Sequence, residues 1–157
     1  MKKLILIIVM SLFLVGCGFN FNQTTTEPIV VDTKNYLEIT TVEELKNIEM
    51  NKSYVLMNDL DLSDEEWIPL GSYNQPFRGD FNGNGFEISN LSITQEYIYT
   101  GLFGYVEGNI YNLTIKDFTI NYTTERITFV GGLAGNSSGN VEDVSVNGTI
   151  NVTNNDS

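Results

Sequence analysis

Apolar positions between residues 54 and 152 recur in a short pattern, apolar-x-Asn/Asp-apolar-x-apolar, that fits neither an amphipathic helix nor a straight strand. It reads Met57-Asn58-Asp59-Leu60-Asp61-Leu62, then Ile88-Ser89-Asn90-Leu91-Ser92-Ile93, Ile110-Tyr111-Asn112-Leu113-Thr114-Ile115 and Val141-Glu142-Asp143-Val144-Ser145-Val146. The copies begin 31, 22 and 31 residues apart. Such self-similarity marks stacked repeats, in which no single unit buries its apolar face alone.

Within a copy, Ile88 and Leu91 have opposite parity, so a straight strand would send them to opposite faces. A bend at Asn90 resolves this, because Asn and Asp tolerate the left-handed region better than other non-glycine residues. Equivalent corners are expected at Asp59, Asn112 and Asp143. Leu91, Leu113 and Val144, each following a corner, should then share one apolar column. Stacked corners with laddered Asn side chains describe an all-β fold, a right-handed parallel β-helix of about four coils. Ahead of it, Thr41-Val42-Glu43-Glu44 fits a capping box, and Val42, Leu45 and Ile48 follow at helical spacing. A helix over 42–50 is expected as an N-terminal cap on the first coil.

The first residues follow a different logic. Lys2 and Lys3 precede an apolar run from Leu4 to Leu14, shorter than the roughly 20 residues a spanning helix needs, which reads as a secretory signal. Leu14-Val15-Gly16-Cys17 resembles the lipobox of bacterial lipoproteins. That resemblance implies a signal peptide over 1–16 and a diacylated Cys17 as the mature N-terminus, holding the protein to the extracytoplasmic face of a bacterial cell membrane. Two acyl chains suffice for stable anchoring, where one holds only marginally. Cys17 is the one cysteine, so no intrachain disulfide exists. Residues 17–36, with a Thr24-Thr25-Thr26 run and Pro28, read as a flexible tether, and 37–157 as the solenoid.

Longer stretches carry a second resemblance. Tyr54 to Leu62, Trp67-Ile68-Pro69-Leu70-Gly71 and Pro76 to Ile88 are similar to the opening of a GLUG-motif solenoid. Gly101-Leu102-Phe103-Gly104 and Gly132-Leu133-Ala134-Gly135 resemble the glycine-leucine-glycine signature itself. Such repeats occur in bacterial surface proteins, including adhesin-like proteins and the non-catalytic region of immunoglobulin A1 metallopeptidases. The resemblance implies a cell-surface β-solenoid and brings no catalytic residue. Independently, Gly101 and Gly104 match Gly132 and Gly135 at a constant offset, as repeated turns or close backbone approaches would.

Candidate chemistry changes this picture little. Without histidine, neither a Ser-His-Asp constellation nor a histidine zinc site exists. The glycine-rich runs lack a phosphate-binding lysine. The acidic cluster Asp59, Asp61, Asp64, Glu65 and Glu66 offers calcium-type oxygens but not the EF-hand order, so a solvated loop is the default and no metal or other cofactor is expected. Asp80, Glu87 and Asp117 keep a polysaccharide-processing enzyme as the alternative, although no spacing selects a pair. Asn90, Asn112 and Asn147 match Asn-x-Ser/Thr but read as ladder residues. Tyr97, Tyr99, Tyr105, Tyr111 and Tyr122 form either a sugar-stacking strip or ordinary β-formers.

With 20 acidic against 8 basic residues, the chain is a poor partner for nucleic acid. The expectation is a lipid-anchored, non-enzymatic binding or adhesion module, or a structural spacer, meeting a host protein or glycan. The last copy still alternates as a strand through Val152 with no cap after it. An incomplete C-terminal end, open to association, is therefore expected.

Overall fold

The computed structural model of the chain describes residues 35–155. The expected signal peptide, Cys17 and nearly all of the tether lie outside the described residues, as do 156 and 157.

The elements run β1 (Leu37–Ile39), α1 (Val42–Lys46), β2 (Tyr54–Leu56), β3 (Leu60–Asp61), β4 (Phe81–Asn82), β5 (Glu87–Ser89) and β6 (Ser92–Ile93). They continue with β7 (Tyr99–Thr100), β8 (Phe103–Val106), β9 (Ile110–Thr124), β10 (Phe129–Val130), β11 (Ala134–Ser137) and β12 (Val141–Asn154). Every strand pairing is parallel. The result is a β-solenoid of about three turns. Tyr54, Phe81, Ile110 and Val141 stack in one column, so successive turns take 27, 29 and 31 residues (54 to 81, 81 to 110, 110 to 141).

The corners explain how one continuous strand encloses a core. In β9, Ile110, Leu113, Ile115, Phe118 and Ile120 are all buried although their spacing changes parity twice. The changes fall at Asn112 and Asp117, whose φ values are 51° and 55°. A left-handed residue turns the chain and points the residues after it back inward, at a cost that Asn and Asp bear better than other side chains. Asn90 and Asp143 do the same, with φ of 59° and 51°.

Asp59 does not. Leu60 pairs with Ile88 and Asp61 with Ser89, so the first two copies stand 28 residues apart (60 to 88), three fewer than the sequence pattern suggests. Asp59 has no left-handed backbone; its carboxylate accepts the Glu87 N–H at 2.9 Å, while Asp61 meets the corner residue Asn90. The next copy also shifts. Ile88 pairs with Ile115, not Ile110, and Ser92 with Thr119. Leu91 therefore falls beside Phe118 and outside the column in which Leu113 faces Val144.

Helix α1 spans five residues, and both halves of the Thr41/Glu44 capping box are formed. It stops short of the expected residue 50, because Asn47 C-caps it through an N–H shared between Glu43 and Glu44 carbonyls. Leu45 and Ile48 still reach the common core. That core is aromatic at its centre: the Phe103 ring meets Phe77 at 5.2 Å and Phe81 at 5.5 Å between centroids. Trp67 is buried and donates its indole N–H to the Leu102 carbonyl at 2.9 Å, which satisfies its polar atom.

Candidate functional site

The polar residues singled out by the repeat pattern join one turn to the next. Asn90 Nδ2 donates to Asp61 Oδ1 at 2.8 Å, and Asn112 Nδ2 to Asn82 Oδ1 at 3.2 Å. Asn109 Nδ2 donates to Asp80 Oδ1 at 2.8 Å, and Asn109 Oδ1 accepts the Asn140 N–H at 3.0 Å. The Asn90 and Ser63 bonds lower the Asp61 pKa below its ordinary value.

The four signature glycines occupy matching places, since Phe103 pairs with Ala134. None has positive φ. Their reason is proximity: a Cβ on Gly104 would sit 2.4 Å from the Gly71 carbonyl oxygen, and one on Gly135 2.6 Å from the Thr100 amide nitrogen. On Gly101 it would meet the Gly131 carbonyl oxygen at 2.5 Å, and on Gly132 the Phe118 ring at 2.6 Å.

The acidic loop does not converge. Lys46 reaches Glu65 at 2.9 Å, Glu66 accepts from the Thr94 amide and hydroxyl, and Asp59 and Asp61 bond as described. Among the described residues no group of three or more acidic, His or Cys side chains could hold a metal ion. Asp80, Glu87 and Asp117 each have a structural part in the turns. Asp80 is engaged by Tyr36 and Asn109, Glu87 pairs with Lys116, and Asp117 is a corner.

The tyrosine strip is rearranged. Tyr122 is buried, with its hydroxyl 3.0 Å from Thr100 Oγ1, and Tyr111 lies in the β9 column that stacks on Asn82. Two rings that the sequence pattern did not single out take their place. Tyr105 meets Tyr73 edge-on at 5.7 Å and Tyr99 edge-on at 5.1 Å, while Tyr99 stacks on Phe129 at 5.2 Å with 13° between planes. Phe129 was legible only through the Tyr99 register, and Tyr73 sits on a turn with no repeat counterpart.

Tyr73 and Tyr99 border a cleft created by unequal turns. Glu66 pairs with Ser92 and Leu70 with Phe103, so the chain takes 4 residues in one turn (66 to 70) where the next takes 11 (92 to 103). The extra segment, with Tyr97, Ile98 and Tyr99, overhangs the shorter turn and leaves a space of about 370 Å³. Its other wall is the Gly71–Asn74 stretch, where Ser72 and Gln75 exchange backbone hydrogen bonds at 3.0 and 3.1 Å. Gly71 enters that turn with φ of 77°. Burial, with the Glu66 charge in second place, raises the Tyr97 pKa and keeps its hydroxyl protonated.

The fold thus defines the chain as a parallel β-solenoid, with its repeated polar residues in inter-turn ladders. Over 154 aligned residues it is 27% identical to halomucin of Haloquadratum walsbyi, with 84% of this chain covered. It is 30% identical over 135 residues, covering 78% of the chain, to a protein of Evansella cellulosilytica described as a Gly-rich membrane protein. The chain spans 2% of the first relative's length and 15% of the second's. No family model and no solved structure matches it.

Proposed function

We propose that this chain is a lipid-anchored, extracytoplasmic β-solenoid of the GLUG type. It serves as a structural and binding module on a bacterial cell surface and is not an enzyme. The observation that carries the structural part is the use of the repeated polar side chains. Asp61 with Asn90, Asn82 with Asn112, and Asp80 with Asn109 and Asn140 all join turn to turn rather than converging on a reactive centre. Similarity to a halomucin and to a membrane protein supports a place at the surface or membrane.

In this reading the solenoid winds right-handed, as parallel crossover connections overwhelmingly do. The strand β1 and helix α1 form the cap on the first of about four coils, with Leu45 and Ile48 closing the core. Diacylated Cys17 holds the membrane, and residues 18–36 lift the solenoid from it.

Labelling cells with a palmitate analogue and fractionating them tests the anchor. The wild-type chain should carry label and sediment with membranes; Cys17→Ser should lose both. Equal label and equal membrane retention in the variant would rule the anchor out.

A further inference from the structure

We propose that the cleft between the Gly71–Asn74 turn and the Tyr97–Tyr99 overhang is a binding site for a neutral carbohydrate chain. Three features of the cleft support this assignment. First, the rings are accessible and prearranged together: Tyr73 is 67% exposed, Tyr97 and Tyr99 are half-buried beside the 54% exposed Ile98, and Tyr73 and Tyr99 are both braced edge-on by Tyr105. Aromatic rings held in place give contact area at little cost in conformational entropy.

Second, the cleft is amphiphilic in the manner a sugar requires. A pyranose ring offers a C–H face to stack and a rim of hydroxyls to satisfy. The lining supplies Tyr73, Tyr97 and Tyr99 rings beside the Ser72 and Asn74 side chains. A few placed polar groups in a largely apolar lining fix a ligand's orientation.

Third, alternatives fit less well. The chain carries a formal net charge of −12, and Glu66 lies close enough to Tyr97 to act on its hydroxyl, which disfavours uronic acids, sulfated glycans and nucleic acid. A peptide added as a strand would find only the two residues of β7 as its edge, too few for pairing of the usual kind. The larger depression of about 600 Å³ beyond the turn, lined by Glu49, Asn51 and Gln75 among others, has no aromatic ring.

This inference rests on the surface-module reading and names its ligand class. Affinity electrophoresis of the full chain, through gels containing hydroxyethyl cellulose, galactomannan or dextran, with polygalacturonate and poly-L-proline gels as comparators, tests it. At least one of these neutral polysaccharides should retard the wild-type protein. Tyr73→Ala should weaken binding about tenfold, the equivalent of ~1.4 kcal/mol. Ile98→Ser should also weaken it, whereas Ile127→Ala, at an 81% exposed position outside the cleft lining, should not. Retardation equal in wild type and Tyr73→Ala, retardation by polygalacturonate alone, or binding to poly-L-proline in place of the polysaccharides would overturn the assignment. So would no retardation by any of the three. Each of those results leaves the anchored-solenoid reading standing, since that is decided by Cys17→Ser fractionation.

Discussion

Leu113 in β9 stands in register with Val144 in β12, one turn further on, and Leu113 is 1% exposed where Val144 is half-buried. The same pair of positions therefore has two energetic weights. Leu113→Ala should destabilise the domain by about 2–5 kcal/mol, as truncation of a fully packed leucine does. Val144→Ala should cost clearly less, because one side of its contact shell is absent. Urea midpoints of the two variants check this; equal shifts would mean that the last turn is covered in solution.

Corner positions should be sensitive to backbone rather than to side-chain volume. At Asn112, with φ of 51°, Asn112→Ala places an alanine in the left-handed region, at about 1–2 kcal/mol, and removes the bond to Asn82. Asn112→Gly removes the bond but not the permissible backbone, and should be the milder change. Asn58, beside Asp59 on an ordinary backbone, is the control, and Asn58→Ala should shift the urea midpoint least. A midpoint for Asn112→Gly below that of Asn112→Ala would contradict the corner account.

That distinction also separates what the sequence disclosed from what it concealed. The pattern correctly implied stacked strands, one core and inward-restoring bends at Asn90, Asn112 and Asp143. It misaligned the turns because β9 carries two corners of the same chemistry, Asn112 in register with Asp143 and Asp117 in register with Asn90. Matching Asn90 to Asn112 joins one pair to the other, and Leu91 follows it into the wrong column. The cleft was illegible for a related reason. It exists only because residues 66–70 are opposed by residues 92–103, and a difference in turn length has no signature until the register is known.

Close approach at the signature glycines predicts an unusual asymmetry. Gly104→Ala drives a methyl to within 2.4 Å of a backbone oxygen that has nowhere to go, whereas Gly85, with φ of 81°, has open space around its absent side chain. Gly85→Asn should carry only a backbone cost, and a modest one, since Asn tolerates positive φ better than other side chains. Gly104→Ala should cost several times more in thermal stability than Gly85→Asn. Comparable melting temperatures for the two would refute the packing account.

Acid should weaken the ladder at Asp61. Its native pKa lies below the ordinary 3.8, first through the Asn90 bond and then through Ser63. A group with a depressed native pKa contributes fully above its unfolded value, and the contribution disappears as pH falls through the native one. Glu44, lowered chiefly by the Thr40 amide, behaves alike, so Asp61→Asn should flatten the acid limb of the stability profile without abolishing it. Urea midpoints measured down to and below that ordinary value check this. An Asp61 carboxyl titrating at or above 3.8 by NMR would remove the basis for it.

The last prediction concerns β12. Ile120 is fully buried, while Ile150, its register partner one turn on, is 43% exposed, as are Val141 at 43% and Val146 at 41%. Strand β9 has partners on both sides, but β12 pairs with β9 alone. A parallel strand with one neighbour turns alternate amides outward, so half of the β12 N–H groups should exchange at nearly solvent rates and the rest should open before those of β9. An edge this long with apolar residues at its open face is also a template for pairing. Self-association that rises with concentration is the expected consequence. Ile150→Lys should reduce it, because an inward-pointing charge at an edge costs the associated state more than the free one. Sedimentation velocity and hydrogen exchange together decide the matter. Protection in 141–152 equal to that of 110–124, with a strictly monomeric mass at high concentration, would show that β12 is closed in a way its exposure does not reveal.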